Sequence, residues 1–147
     1  MNLDHAATLL KDSAKAGVCH VPQRDVSRLL TAASAAGLVV RRADLKGVRG
    51  KEALFDRLSS ALSFPEWFGR NWDALADCLS DLSWLPASGY VLALDNVEEL
   101  PTRQRDDFNI AIQVCSAAAD LWHEKGVPFW VLLDARTKDV PAFTDIK

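Results

Sequence analysis

YVLALD, residues 90–95, sets five apolar side chains in succession and ends on an acid. An amphipathic helix would interrupt such a run with polar residues, and a strand wet on one face would alternate. A short apolar run with neither pattern suits a strand covered on both faces. FWVLLD, residues 129–134, is a second run of this kind. Between them, residues 102–125 read as one long helix, with Phe108, Ile110, Ala111, Val114, Ala118 and Leu121 facing the core and Gly126 as its stop. Strands joined by a helical crossover come back parallel, so the class is α/β.

Upstream, Leu38–Val40 reads as a third strand and KEALFDRLSSAL, residues 51–62, as a helix with Leu54, Phe55, Leu58, Ala61 and Leu62 on one side. Nearer the start, a helix over residues 3–15 is closed by Gly17, and a helix from Asp25 to Ala36 is closed by Gly37. Val18–Val21, ended by Pro22, is a candidate fourth strand. The expected architecture is a small parallel sheet of three strands, with that fourth as an option, packed with helices.

With 49% of its 147 residues apolar and 25% charged, the chain has enough apolar surface for one ordered domain. No apolar stretch reaches the ~18 residues of a membrane span, and the first residues lack the basic start of a secretory signal. A cytoplasmic protein without membrane contact is the expectation. Cys19, Cys78 and Cys115 have no metal-ligand spacing, and His5, His20 and His123 are scattered, so neither metal nor cofactor is expected. Charge is distributed unevenly. Residues 1–64 hold ten Lys/Arg against six Asp/Glu, whereas residues 65–107 hold three against nine. A surface built from the acidic centre repels a phosphate backbone and attracts a basic protein, which argues against direct nucleic-acid binding.

The acidic centre contains PEWFGRNWDALADCL, residues 65–79. Pro65 ends the preceding helix, Gly69 is expected to permit a tight turn, and Asn71 is a good N-cap for a helix from Trp72 to about Leu82. Ser63 and Glu66 offer an alternative, earlier cap. At ~100° per residue, Trp72, Leu75, Leu79 and Leu82 form a core stripe, with Asp73, Asp77 and Asp81 opposite. Like charges at this spacing disfavour a helix. A solvated face is the ordinary explanation for surface acids. Against it stand the lack of any Lys or Arg from Asn71 to Leu100, Trp67 and Trp84 beside the two ends of the acidic row, and the small Ala76 and Ser80 along its flank. Together, Trp67, Asn71, Asp73, Ala76, Asp77, Ser80, Asp81 and Trp84 are the candidate partner-binding residues. Trp72, Trp122 and Trp130 are assigned to the core.

FPEWFGRNWDALADCL with the YVLALD strand behind it resembles the barstar family of intracellular ribonuclease inhibitors, over roughly residues 37–134. The family pattern is P-E-aromatic-aromatic-G-x-N-x-D-A-L-x-D-C-L. The resemblance implies a three-stranded parallel sheet with packed helices, and an inhibitor that covers the active site of a basic secreted ribonuclease or nuclease toxin, one to one. It also implies that Asp77 enters the phosphate-binding centre, with Asp73 as its acidic neighbour and Trp67 where the family often has tyrosine. Ala76 replaces a large aromatic, and Leu121 and Lys125 stand where an outlying acidic contact is expected. Asp120 or Glu124 would supply that contact only if the helix is rotated. Residues 1–36 fall outside the pattern and are read as a helical extension packed on a barstar-like domain of residues 37–147, dispensable for inhibition.

Two other functions were weighed. An enzyme is disfavoured because no His, Lys or Ser in the motif completes a catalytic set around Asp73 and Asp77, Cys78 reads as packed, and GVRGKE, residues 47–52, lacks phosphate-loop spacing. An immunity or regulatory module of the same fold, directed at a partner other than a ribonuclease, would use the same residues.

Overall fold

The structure, a computed structural model, describes residues 2–145. Its elements run α1 (Leu3–Leu10), β1 (Val18–His20), α2 (Gln23–Ala35), β2 (Val39–Asp44), α3 (Gly50–Leu62), α4 (Trp72–Asp81), β3 (Tyr90–Asp95), α5 (Arg105–Glu124) and β4 (Phe129–Leu133). All paired strands are parallel and lie in the order β1-β4-β3-β2. From β2 to β3 to β4 the chain steps one place at a time toward β1, while the β1-to-β2 connection crosses the whole sheet in the opposite direction. Crossovers of one hand that travel in opposite directions cover opposite faces.

Both faces are accordingly buried. Tyr90, Leu92, Leu94, Phe129, Val131 and Leu133 pack beneath α3, α4 and α5, while Val91, Ala93, Trp130 and Leu132 pack beneath α1 and α2. Successive residues of one strand thus enter different cores, which is why β3 and β4 are apolar without alternation. The thiols of Cys19 and Cys115 are free and buried, and burial pushes both up to about 12.

Several elements differ from the sequence reading. α1 stops at Leu10, because the Asp12 carboxylate accepts the Ala14 N–H at 2.9 Å and folds the chain into a turn. β2 continues to Asp44 through Arg41 and Arg42, charges that mask a strand in the sequence. As an edge strand it leaves Arg42 exposed, where the guanidinium pairs with Asp95 at 2.9 Å. α5 begins at Arg105, after a 3-10 turn at Thr102–Gln104.

The buried face of α5 is Phe108, Ala111, Ile112, Cys115, Ala118, Ala119 and Trp122. Ile110 and Leu121, expected in the core, are 37% and 46% exposed, and Val114 is half-buried. Four of these seven are Ala or Cys. The sequence reading gave too much weight to the bulkiest aliphatics.

Candidate functional site

α4 is held at both ends. The Asn71 side-chain oxygen accepts the Ala74 N–H at 2.7 Å, as its place before Trp72 suggests. At the other end Leu82 adopts a left-handed conformation, φ 49°, while its side chain is buried. Leu75, Cys78, Leu79 and Leu82 form the buried side. Trp72 is only half-buried and lies edge-on to Phe55 at 4.9 Å, so it borders the core instead of filling it. Burial, reinforced by the carboxylates of Asp77 and Asp81, pushes the Cys78 thiol above its ordinary range.

The connector into α4 corrects two expectations. Ser63 is the left-handed C-cap of α3, not the start of an earlier helix. The left-handed turn residue is Arg70, φ 54°, not Gly69. Arg70 is held there by ion pairs to α3, reaching Glu52 at 3.0 Å and Asp56 at 2.5 Å. The one cation of the motif therefore points at α3 and neutralises two acids there. Phe68, buried edge-on against Phe55 at 5.8 Å, anchors the same segment.

On the other side of α4, Asp73, Asp77 and Asp81 are exposed. Among the described residues no Lys, Arg or His lies within ion-pair distance of any of the three. Asp81 accepts only the Ser83 hydroxyl, at 3.3 Å. Ala76 and Ser80 are half-buried. Lys125, the C-cap of α5, donates to the Ser80 main-chain carbonyl at 3.5 Å and lies over the Trp122 ring at 4.6 Å, which puts Lys125 beside α4. Asp120 and Glu124 are exposed elsewhere on the helix and are not rotated into its place.

Trp67 and Trp84 do not mark opposite ends of the acidic row. They meet edge to face with ring centroids 5.9 Å apart. The Trp84 indole N–H donates to the Leu62 carbonyl at 2.9 Å and its ring abuts Phe64, whereas Trp67 is 61% exposed. The half-buried Trp84 thus props up the exposed Trp67.

A second polar group, at the C-terminal ends of the strands, was not singled out from sequence. The Asp134 carboxylate accepts the N–H groups of Asn96 and Val97 at 2.6 and 3.0 Å, and the Asn96 amide donates to Asp44 at 2.6 Å. Its signal was the acid closing each apolar run. These bonds tie the strand ends together beside a pocket lined by Gln23, Asn96, Glu98, Glu99 and Asp134.

The acidic face is therefore acceptor-only. Three like charges exposed at helical spacing suit binding a cationic surface. Among the described residues no group of three or more His, Cys, Asp and Glu is placed to hold a metal, and no helix is long and apolar enough to cross a membrane.

No curated protein matches the chain. A family model described as Barstar (barnase inhibitor) matches residues 38–134, from the residue before β2 to the residue after β4, and so includes α4 but none of α1, β1 or α2. With more than half of its length matched, this chain belongs to the Barstar (barnase inhibitor) family.

Proposed function

We propose that the protein binds a basic secreted ribonuclease or nuclease toxin one to one and blocks its active site with the exposed face of α4, protecting the cell that makes both. One observation carries this reading: three carboxylates stand in a row on a capped helix, exposed and without a cationic partner among the described residues. A ribonuclease centre holds phosphate with Arg, Lys and His. Carboxylates fixed at helical spacing offer it the same charge on a rigid frame, so the pocket fills without a bond being made or broken.

The roles follow from the family resemblance together with position on the helix. Asp77, in the middle of the row, enters the cationic pocket. Asp73 and Asp81 extend the negative potential along the helix, Trp67 supplies apolar contact at one side, and Asn71 keeps α4 in register. Attraction between the two surfaces accelerates encounter and weakens as salt screens it.

The test is inhibition of RNA cleavage by a panel of basic secreted ribonucleases, barnase among them, together with calorimetric stoichiometry. A one-to-one complex that suppresses cleavage is expected. A panel in which no enzyme is inhibited at micromolar protein overturns the reading in favour of a binding module for a different basic partner.

A further inference from the structure

The C-terminal ends of β1 and β4 frame a basic pocket that the acidic row does not use. β4 ends at Leu133, and the chain then leaves the sheet and returns beside β1, where the His20 N–H donates to the Pro141 carbonyl at 2.9 Å and His20 bridges to Ala142. A turn shapes this arc: the Val140 N–H donates to the Thr137 carbonyl at 3.1 Å, with Asp139 left-handed at φ 66°. At the end of β1 the arc borders a cavity of about 490 Å³, lined by His20, Arg136, Thr137, Lys138 and Ala142.

Three of these five side chains carry or can take a positive charge, and none is acidic. The acids nearest in sequence line other cavities. Asp134 accepts the N–H groups of Asn96 and Val97 and faces a pocket with Glu98 and Glu99, while Asp139 lines a third cavity that shares only Thr137 and Lys138 with this one. Arg28, Arg42 and Arg70 are each paired with carboxylates, whereas among the described residues no acid lies within ion-pair distance of His20, Arg136 or Lys138. Arg136 and Lys138 are exposed and His20 is half-buried. Cations gathered without a counter-charge repel one another, and an anion between them relieves that repulsion. The place in the fold favours a ligand as well. The chain leaves β1 toward α2 on one face of the sheet and β3 toward α5 on the other, with β4 between them. Open parallel sheets take ligands in the crevice beyond such carboxyl ends.

We infer that His20, Arg136 and Lys138 bind a phosphate group, carried as the free ion or as the terminal monoester of a small molecule. A guanidinium fork, an ammonium and an imidazole N–H offer donors to the several terminal oxygens of a dianion. A carboxylate has one charge and two oxygens, too few for the set. A phosphodiester backbone also carries one charge per unit, and the chain's net charge of −3 repels a polymer of them. None of the three residues lies on α4, so this site does not depend on the inhibitory reading.

Two-dimensional NMR of the full chain, at fixed ionic strength in a phosphate-free buffer, follows titration with inorganic phosphate, ribose 5-phosphate, ribose and an oligoribonucleotide lacking terminal phosphates. Saturable shifts centred on His20 and residues 136–138 are expected with the first two probes and not with the last two. Tighter binding of ribose 5-phosphate than of inorganic phosphate identifies an organic monoester as the ligand, and the reverse identifies the free ion. Arg136→Ala and Lys138→Ala are each expected to weaken phosphate binding about tenfold. Lys51→Ala, which removes an exposed lysine from the first turn of α3, should leave it unchanged. Circular dichroism checks each fold. Shifts that never saturate, that spread over the basic residues generally, or that persist undiminished in both pocket variants overturn the inference. So does an oligoribonucleotide that binds at these residues more tightly than ribose 5-phosphate.

Discussion

The indole N–H of Trp130, buried in β4, donates to the carbonyl of Leu10 at the end of α1 at 2.8 Å. Through this bond and the packing around it, the N-terminal segment forms one wall of the smaller of the protein's two cores. Leu10, Leu29 and Ala33 cover Trp130, Val91, Ala93 and Leu132, and β1 occupies the edge of β4. Removing residues 1–36 would bare this side of the sheet together with a strand edge. The truncated chain is expected to aggregate or lose cooperative unfolding, contrary to the dispensability read from the sequence. Urea denaturation followed by tryptophan fluorescence checks this, and a truncation with an unshifted midpoint would refute it.

Asp77 should trade stability for binding. It faces Asp73 and Asp81 at i−4 and i+4, each like-charge pair costing about 0.2–0.5 kcal/mol, and aspartate is a poorer helix former than alanine by several tenths. Asp77→Ala is therefore expected to stabilise the free protein by about 1 kcal/mol, while the loss of a desolvated charge contact weakens the complex by about 2–5 kcal/mol. Chemical denaturation and calorimetry on the same sample separate the two effects. A variant that loses stability along with affinity would mean that the acid supports the fold.

Much of this was legible in advance, and the failures share a cause. β3 was readable to the residue, because both of its faces are buried and nothing but apolar side chains suits them. The acidic row on α4 followed from the periodicity, and its cap from Asn71. What remained hidden depended on neighbours distant in sequence. Arg42 sits on an edge strand where Asp95 lies alongside to pair with it. Arg70 takes the left-handed turn because Glu52 and Asp56 hold it there. The buried face of α5 is set by where the sheet and α4 meet the helix, which a helical wheel does not contain.

Two glycines that look alike in the sequence should behave differently. A Cβ on Gly69 would meet only the Asn71 amide at 3.4 Å and the Ala74 Cβ at 3.5 Å, in ordinary contact. Gly69→Ala is expected to be neutral or mildly stabilising, because it restricts the unfolded chain. A Cβ on Gly89 would come within 2.7 Å of both Leu38 and Pro128, and Gly89→Ala is expected to cost about 1–3 kcal/mol. Reversal of that order in thermal melts would contradict the packing at the start of β3.

The cap makes a third comparison. Asn71→Ala removes the acceptor for the Ala74 N–H and should cost about 1 kcal/mol. Asn71→Asp keeps that acceptor and adds a charge favoured by the helix dipole, so it should retain the stability. Equal losses in both variants would show that the amide nitrogen, which donates to the Gly69 carbonyl at 3.3 Å, matters more than the oxygen.

Acid should destabilise the protein through carboxylates away from the acidic row. The hydrogen bond from Arg28 holds Asp25 below the usual carboxylate range against the opposing effect of burial, Arg70 does the same for Asp56, and Asp44 is lowered chiefly by the Asn96 amide. Each group binds its proton less readily folded than unfolded, where an aspartate titrates near ~3.9. Their contribution is therefore complete above about pH 4 and is lost as pH falls through the lowered folded values. Urea midpoints should be level from neutrality down to about pH 5 and drop steeply below about pH 4. Asp25→Asn should flatten part of that drop. A midpoint that rises on acidification would contradict the ion pairs seen at Arg28 and Arg70.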